Sequence, residues 1–336
     1  MRLYHMSQLV HAQGPVHADG EEPEPGRGEV RVRIEAASLN FRDLLVLDGA
    51  VQGAYDGRIP LSDGAGVIDA IGPGVGRWRV GDRVVAAFFR DWIQGPFKSR
   101  YLASALGGSL TDGVLAEKIL LPEQSLLAIP AGLSAEQAAT LPCAAVTAWQ
   151  ALFARGGLQA GDSLLVQGTG GVALFGLQFA VAAGARVIVI SSSDQKLERA
   201  RDLGAQVLIN YRATPDWDKA VLEQTDGEGA NFVLELGGPA TYERSLRAVA
   251  FGGRIAQIGV LTGVGPQPNL ARLQSKNADI LGITVGSVAH FEAMNAFIER
   301  HGIRPVIDRI FPFDEAVAAY AHLRGAQHFG KVVVRL

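Results

Sequence analysis

Apolar and charged positions alternate in E-V-R-V-R-I-E-A, residues 29–36, and that period of two predicts a half-buried strand. G-V-I-D-A-I-G-P-G-V-G (66–76), G-D-R-V-V-A-A-F (81–88) and V-L-A-E-K-I-L-L-P (114–122) repeat the style between glycine turns. Strands in such close succession predict a small, mostly antiparallel β domain. Near Leu133 the pattern changes. S-A-E-Q-A-A-T-L (134–141) opens with a serine suited to an N-cap, and Glu136 and Gln137 fall in its first turn. Six strand-like runs follow, at 163–167, 186–190, 207–210, 231–236, 254–258 and 279–285. Amphipathic segments separate most of them; D-Q-K-L-E-R-A-R-D-L-G (194–204) ends on a glycine placed to terminate a helix. Alternating strands and helices predict a parallel, doubly wound sheet. Further helices are expected at about 290–301 and 314–323, and K-V-V-V-R-L (331–336) reads as a closing strand. No internal repeat or low-complexity tract interrupts the pattern.

Composition narrows the class. A chain of 336 residues exceeds one ordinary core and fits two domains. The 41 glycines set among Val, Ile and Ala runs suit the tight strand-to-helix turns of an α/β protein. A net charge of −3 with both signs interspersed argues against nucleic acid and against an anionic membrane surface as partners. The single cysteine, Cys143, excludes a disulfide framework and fits a reducing compartment. M-R-L-Y-H-M-S-Q-L-V lacks the apolar core of a signal peptide, and no apolar run approaches the roughly 18 residues of a bilayer span. A cytoplasmic protein is the expectation.

The strongest motif is V-Q-G-T-G-G-V-A (166–173), which holds G-x-G-x-x-A as Gly168, Gly170 and Ala173 between a strand and a helix. Gly168 permits the tight turn, Gly170 admits a pyrophosphate against the backbone, and Ala173 lets the helix pack closely on the sheet. Thr169, Gly171 and Val172 complete the loop, whose helix N-terminus offers N–H groups to phosphate. The next strand ends in Ser191, Ser192 and Ser193, where an NAD-selective protein offers a carboxylate to the ribose 2′-hydroxyl. Hydroxyls there donate to a 2′-phosphate, and Lys196, with Arg212 after Asn210 and Tyr211, supplies charge, so NADP(H) is favoured over NAD(H). The serines also suit the N-cap of the following helix; the two roles are compatible.

Other chemistries find no support. G-A-Q-H-F-G-K-V (325–332) approaches a phosphate-binding P-loop but ends in Val332 and leads into a strand. No tyrosine precedes a lysine by four residues, no G-x-S-x-G elbow occurs, and the seven histidines form no H-E-x-x-H. Surface or packing roles are expected for those histidines.

A-A-S-L-N-F-R-D (36–43), D-G-A-G-V-I-D-A-I-G (63–72), G-D-R-V (81–84), L-P-C-A-A-V-T-A-W (141–149), G-T-G-G-V-A and I-G-V (258–260) together resemble the medium-chain dehydrogenase/reductase superfamily. The resemblance spans essentially the whole chain. It implies a GroES-like catalytic domain over 1–130, a Rossmann NADP(H)-binding domain over 131–285 and a return to the first domain over 286–336. The nicotinamide is then expected in the interdomain cleft. In the zinc alcohol dehydrogenases of that superfamily Cys, His and Cys hold the catalytic metal. Asn40, Ser62 and Cys143 match those positions, and the cysteine-rich lobe of the structural zinc is replaced by residues 88–101 and 105–113. The resemblance therefore implies a zinc-independent enzyme, like the quinone oxidoreductase and enoyl reductase branches.

Without zinc, hydrogen-bond donors must stabilise a developing oxyanion. Asn40, Ser62, Thr147, Tyr55 and the cofactor's ribose hydroxyls are the candidates. By the same resemblance Thr147 lies near the nicotinamide, with Ile258, Gly259, Val260, Val285, Gly286 and Ser287 on its other side. A delocalised charge asks least of such donors, so the expected reaction is NADPH-dependent hydride transfer to a quinone or an α,β-unsaturated carbonyl. Alternatives are a zinc-free alcohol dehydrogenase or carbonyl reductase and a non-catalytic NADPH-binding protein of the zeta-crystallin type. Several residues keep a plainer reading as well. Asn40 is also a strand-end turn residue, Asp43 suits an ion pair with Arg42, and Ser62–Asp63 suits a turn before Gly64. Phe88, Phe89 and Trp92 read as local core, and Cys143 as a small residue at the site floor. The exposed edge of the 279–285 strand implies a homodimer.

Overall fold

The computed structural model describes residues 1–7, 14–50, 57–263, 265 and 269–336. The expected donor Tyr55 lies outside the described residues. The chain divides into two compact units, one of Met1–Val146 with Val285–Leu336 and one of Thr147–Thr284. Residues 131–146 and Val285, read from the sequence with the dinucleotide-binding domain, cluster with the first unit.

The first unit begins with an antiparallel pair, β1 (Arg2–His5) and β2 (Val16–Asp19). Strands β3 (Glu29–Leu39), β4 (Asp63–Ile71), β5 (Arg83–Ala86), β6 (Lys118–Pro122) and β7 (Leu126–Ala128) follow, with α1 (Phe41–Leu47) after β3 and α2 (Ala135–Ala138) after β7. Along β3, Val30, Val32 and Ile34 turn into the core while Arg31 reaches Asp69 at 2.8 Å, as the alternation requires. The helix α2 starts at Ser134, whose hydroxyl accepts the Gln137 N–H. A helical run continues through α3 (Val146–Trp149), with π-helical turns over Leu141–Ala145 and Gln150–Ala154.

In the second unit β8 (Ser163–Gln167), β9 (Arg186–Ser191), β10 (Val207–Asn210), β11 (Ala230–Glu235), β12 (Val249–Gln257) and β13 (Asp279–Gly282) form one sheet among the described residues. Its order is β10-β9-β8-β11-β12-β13 and every pairing is parallel. That order reverses between β8 and β11, the arrangement of a dinucleotide-binding sheet. Buried on both faces, β8 and β9 are nearly continuous Leu, Val and Ile. The helices are α4 (Gly171–Ala182), α5 (Asp194–Asp202), α6 (Trp217–Glu223), α7 (Pro239–Ala248) and α8 (Leu270–Ser275). The run read as 279–285 pairs only as far as Gly282, and β13 lies at the sheet edge with Ile280 exposed.

The chain then adds α9 (Val288–His301), β14 (Ile307–Pro312), α10 (Ala316–Arg324) and β15 (Lys331–Arg335) to the first unit. Their sheet runs β14-β15-β3-β4-β5-β7, with β6 also on β3. Only the β14–β15 pair is parallel, so the antiparallel expectation holds for the rest. Phe88, Phe89 and Trp92 are buried in an aromatic cluster with Phe97, Tyr101 and His290, as their reading as local core requires. The Trp92 carbonyl accepts the Val288 N–H, tying that cluster to the start of α9. Among the described residues no helix is long and apolar enough to cross a membrane.

Candidate active site

Strand register assembles a buried polar cluster in the first unit. Val332 pairs with Leu39 and Ser38 pairs with Asp63, so β15, β3 and β4 carry Lys331, Asn40 and Asp63 to one end of three adjacent strands. Lys331 Nζ donates to the Leu39 carbonyl at 2.6 Å and to Asn40 Oδ1 at 2.5 Å, and lies 4.0 Å from Asp63 Oδ2. Ser62 Oγ donates to Asp63 Oδ1 at 2.6 Å, and the Cys143 N–H donates to Asp63 Oδ2 at 3.1 Å. Asn40, Ser62 and Cys143 are thus joined through Asp63 and Lys331. The Ser62–Asp63 step is more than a plain turn: both residues are fully buried and Leu61 before them has φ 68°, a left-handed strain at a branched side chain.

Asn40 also opens α1. Its N–H donates to Asp43 Oδ2 at 2.7 Å, and Arg42 Nη1 meets Asp43 Oδ1 at 3.3 Å, the expected ion pair. Arg42 is held in turn by the carbonyls of Leu106 and Gly107. Burial raises the Asp43 carboxyl to about 6, against the lowering pull of Arg42. Burial, with the Asp63 charge added, pushes the Cys143 thiol up, which keeps it protonated and a poor nucleophile. Burial also lowers the Lys331 amine, while Asp63 works to keep it charged. Asn40 Nδ2 is buried and has no hydrogen-bond partner among the described residues.

The second unit carries the glycine loop. After β8, Gly168 has φ 78° and its N–H donates to the Ile190 carbonyl at 2.7 Å. A Cβ at Gly168 or Gly170 would meet nothing within 4 Å among the described residues beyond its chain neighbours, which leaves room at the loop. Gly170 caps the twelve-residue α4 with no side-chain acceptor, which leaves the first-turn N–H groups for a ligand. Ala173 is fully buried, as close packing of α4 on the sheet demands, and Thr169 is buried beside it. The loop's residues fit a dinucleotide pyrophosphate.

At the end of β9 the serines do cap a helix. Ser193 Oγ accepts the Lys196 N–H, and Ser191 Oγ accepts the Ser193 N–H, each at 3.4 Å. Asn210 Nδ2 donates to Asp194 Oδ1 at 2.7 Å, so the nearest carboxylate is already engaged. The Arg212 N–H donates to Asn210 Oδ1, and Tyr211 and Arg212 are exposed. The N–H groups of Ile258 and Gly259 both reach the Glu235 carbonyl at 3.0 Å, fixing the turn that leads to Val260.

Thr147 is buried on α3 in the second unit. Val285, in the first, has φ 49°, an outlier for a β-branched residue. Gly286 follows it, and Ser287 caps α9 by accepting the His290 N–H.

Two features were not read from the sequence. Lys331 stands at the head of a strand that reads only as closing the chain. Glu235 is fully buried at the end of β11 and accepts from Gln167 Nε2, Thr241 Oγ1, Ser245 Oγ and the N–H groups of Gly237 and Gly238. A charged residue closing an apolar strand was the available signal for it.

Residues 26–131 match the family model of the alcohol dehydrogenase GroES-like domain, and residues 171–300 that of the zinc-binding dehydrogenases. A zinc-type alcohol dehydrogenase-like protein of Schizosaccharomyces pombe is 45% identical over 316 residues, covering 92% of this chain and 91% of its own. This chain belongs to the medium-chain dehydrogenase/reductase superfamily. It is an NAD(P)H-dependent oxidoreductase of that superfamily. A quinone oxidoreductase of Pseudomonas aeruginosa is 32% identical, covering 95% of this chain and 94% of its own. Among solved structures, a protein of Sinorhizobium meliloti 1021 provisionally described as an alcohol dehydrogenase superposes with a TM-score of 0.93. It is 43% identical and the match covers 100% of this chain and 98% of that one.

Proposed function

We propose that this oxidoreductase is a zinc-independent, NADPH-dependent reductase of quinones or α,β-unsaturated carbonyls. One observation carries the reading: the ammonium of Lys331 is hydrogen-bonded to Asn40, one of the three residues at the superfamily's zinc-ligand positions. The donor set does not fit zinc. Asn40 Oδ1 accepts from a cation, the Ser62 hydroxyl is spent on Asp63, and burial holds Cys143 as a thiol. A tetrahedral site needs thiolate or imidazole donors with no cation among them.

When bound, NADPH supplies the hydride. The glycine loop and the N-terminus of α4 hold its pyrophosphate, with Gly168, Thr169, Gly170, Gly171 and Val172 around it and Ala173 seating the helix. Ser191 to Ser193, Lys196 and Arg212 receive the 2′-phosphate, because Asp194 is engaged by Asn210 and no other carboxylate ends β9. Asn40 Nδ2 receives the acceptor's oxygen, Ser62 and Asp63 steady that donor's surroundings, and water supplies the proton. The charge then reaching oxygen is delocalised over the enolate or quinolate, so a neutral amide donor suffices. The name of the Pseudomonas relative points the same way. Pairing of two copies along β13 makes a homodimer of the enzyme.

The test is oxidation of NADPH and NADH with 9,10-phenanthrenequinone, 2-cyclohexen-1-one and benzaldehyde. The quinone or the enone should be reduced at least about tenfold faster per KM than benzaldehyde, with NADPH bound more tightly than NADH. Turnover of benzaldehyde alone overturns the acceptor class. Tighter binding of NADH overturns the cofactor preference, and activity lost to a chelator and restored by Zn²⁺ overturns zinc independence.

A further inference from the structure

Lys331 is fully buried, and its amine has no direct part in the proposed hydride transfer. Its two close acceptors are the Leu39 carbonyl and Asn40 Oδ1. An ammonium only donates, so it meets the Asn40 amide through oxygen and never through nitrogen. The orientation of that amide is thereby fixed, and Nδ2 is left buried without a protein partner among the described residues. Groups of this kind are rare because an unmade buried hydrogen bond is costly, and a free amide would rotate to satisfy its own donor.

The geometry points to Lys331 as the positioning residue that locks the Asn40 amide with Nδ2 kept open for the acceptor's carbonyl oxygen. This rests on the proposed reduction, in which Asn40 touches that oxygen. Lys331 itself touches no reactant. Asp63, 4.0 Å from the amine, compensates its charge, and the Leu39 carbonyl fixes its direction. The superfamily's metal-ligand position is thus occupied by an amide whose polarity is set by an internal cation.

The experiment compares K331M, K331Q, N40D and the double variant K331M/N40D, using 2-cyclohexen-1-one and 9,10-phenanthrenequinone with NADPH. K331M should lower kcat by about tenfold to a hundredfold with KM for NADPH within about twofold. The isotope effect from [4-²H]NADPH should rise, because hydride transfer becomes slower relative to the other steps. N40D keeps an acceptor for Lys331 but loses the donor, and should fall to a similar rate. The double variant should be no slower than about threefold below either single one, since both remove the same interaction. K331Q can still donate to Asn40 Oδ1 and should recover part of the loss; it also stands in if K331M does not fold. Independently of turnover, the Asn40 side-chain ¹⁵N amide signals should be a sharp pair in the wild type and shifted in K331M. An unshifted pair, or K331M turning over within threefold of the wild type while N40D is impaired, overturns the positioning role and leaves the reductase reading intact. N40D at the wild-type rate with both acceptors removes Asn40 from the oxygen and overturns the positioning role, while the acceptor class of the reductase stands.

Discussion

Each unit buries a carboxylate at a strand end, and the two are treated in opposite ways. Glu235 is surrounded by five donors, two of them backbone N–H groups and two of them hydroxyls, and every one is matched. Asp63 sits in a cluster that also holds a cation, a thiol and an amide donor with no partner among the described residues. Full satisfaction rigidifies: Glu235 and Gln167 tie the ends of β8 and β11 beneath the glycine loop. Incomplete satisfaction leaves bonding capacity for something that arrives later. On the proposed reduction, the difference separates a scaffold network from a reactive one, although both carboxylates are equally buried.

The comparison is most exposed at Glu235 itself. E235A should cost about 3–4 kcal/mol of stability by orphaning several buried donors, measured as a lower midpoint in urea unfolding. If E235A instead unfolds like the wild type and loses turnover, the network is not scaffold. Asp43 gives the next largest effect, of about 3 kcal/mol for a carboxyl raised to about 6. Because its folded pKa lies above the unfolded value near 3.9, its contribution is present below pH 4 and is lost as pH rises through 6. The stability of D43N relative to the wild type should therefore increase between pH 4 and pH 7; a constant difference would place Asp43 in a solvated setting.

Smaller effects refine the picture of the Asp63 cluster. S62A removes the hydroxyl bonded to Asp63 at 2.6 Å and should lower kcat by about tenfold with a nearly unchanged melting temperature. A drop in stability with unchanged kcat would move Ser62 to the scaffold side. C143A should change turnover by less than about threefold and stability by less than about 1 kcal/mol, measured together on one preparation. A loss above a hundredfold would restore a nucleophilic role to the thiol.

Much of this was legible from residues alone. The alternation at 29–36, the strand–helix rhythm after Leu133 and the G-x-G-x-x-A loop each carry their structure locally, because period and glycine spacing are short-range signals. The resemblance pointed to Asn40, Ser62 and Cys143 as one group, and the structure brings them together through Asp63 and Lys331. Lys331 was not, since its neighbour Asn40 is 291 residues away in sequence and only the antiparallel register of β15 on β3 brings them together. The lysine's local context, G-K-V, offered instead a misleading half-match to a phosphate loop. Glu235 was hidden for a different reason: five donors reach it from three segments, and no sequence spacing encodes that convergence. The serines at the end of β9 show a third case: the capping role is visible in the structure, and the ligand role proposed for them falls on the same hydroxyls.

The placement of β15 has a consequence for how the protein is made. The strand bearing Lys331 emerges from the ribosome only after all of Thr147–Thr284, whose synthesis alone at about 5–20 residues per second takes roughly seven to twenty-eight seconds. Throughout that interval the 36–39 stretch of β3 has no partner for the edge that β15 will cover, and its sequence there is Ala, Ala, Ser, Leu. The nascent chain therefore carries an uncovered apolar edge through that interval, a seam open to aggregation that the finished fold closes with β15.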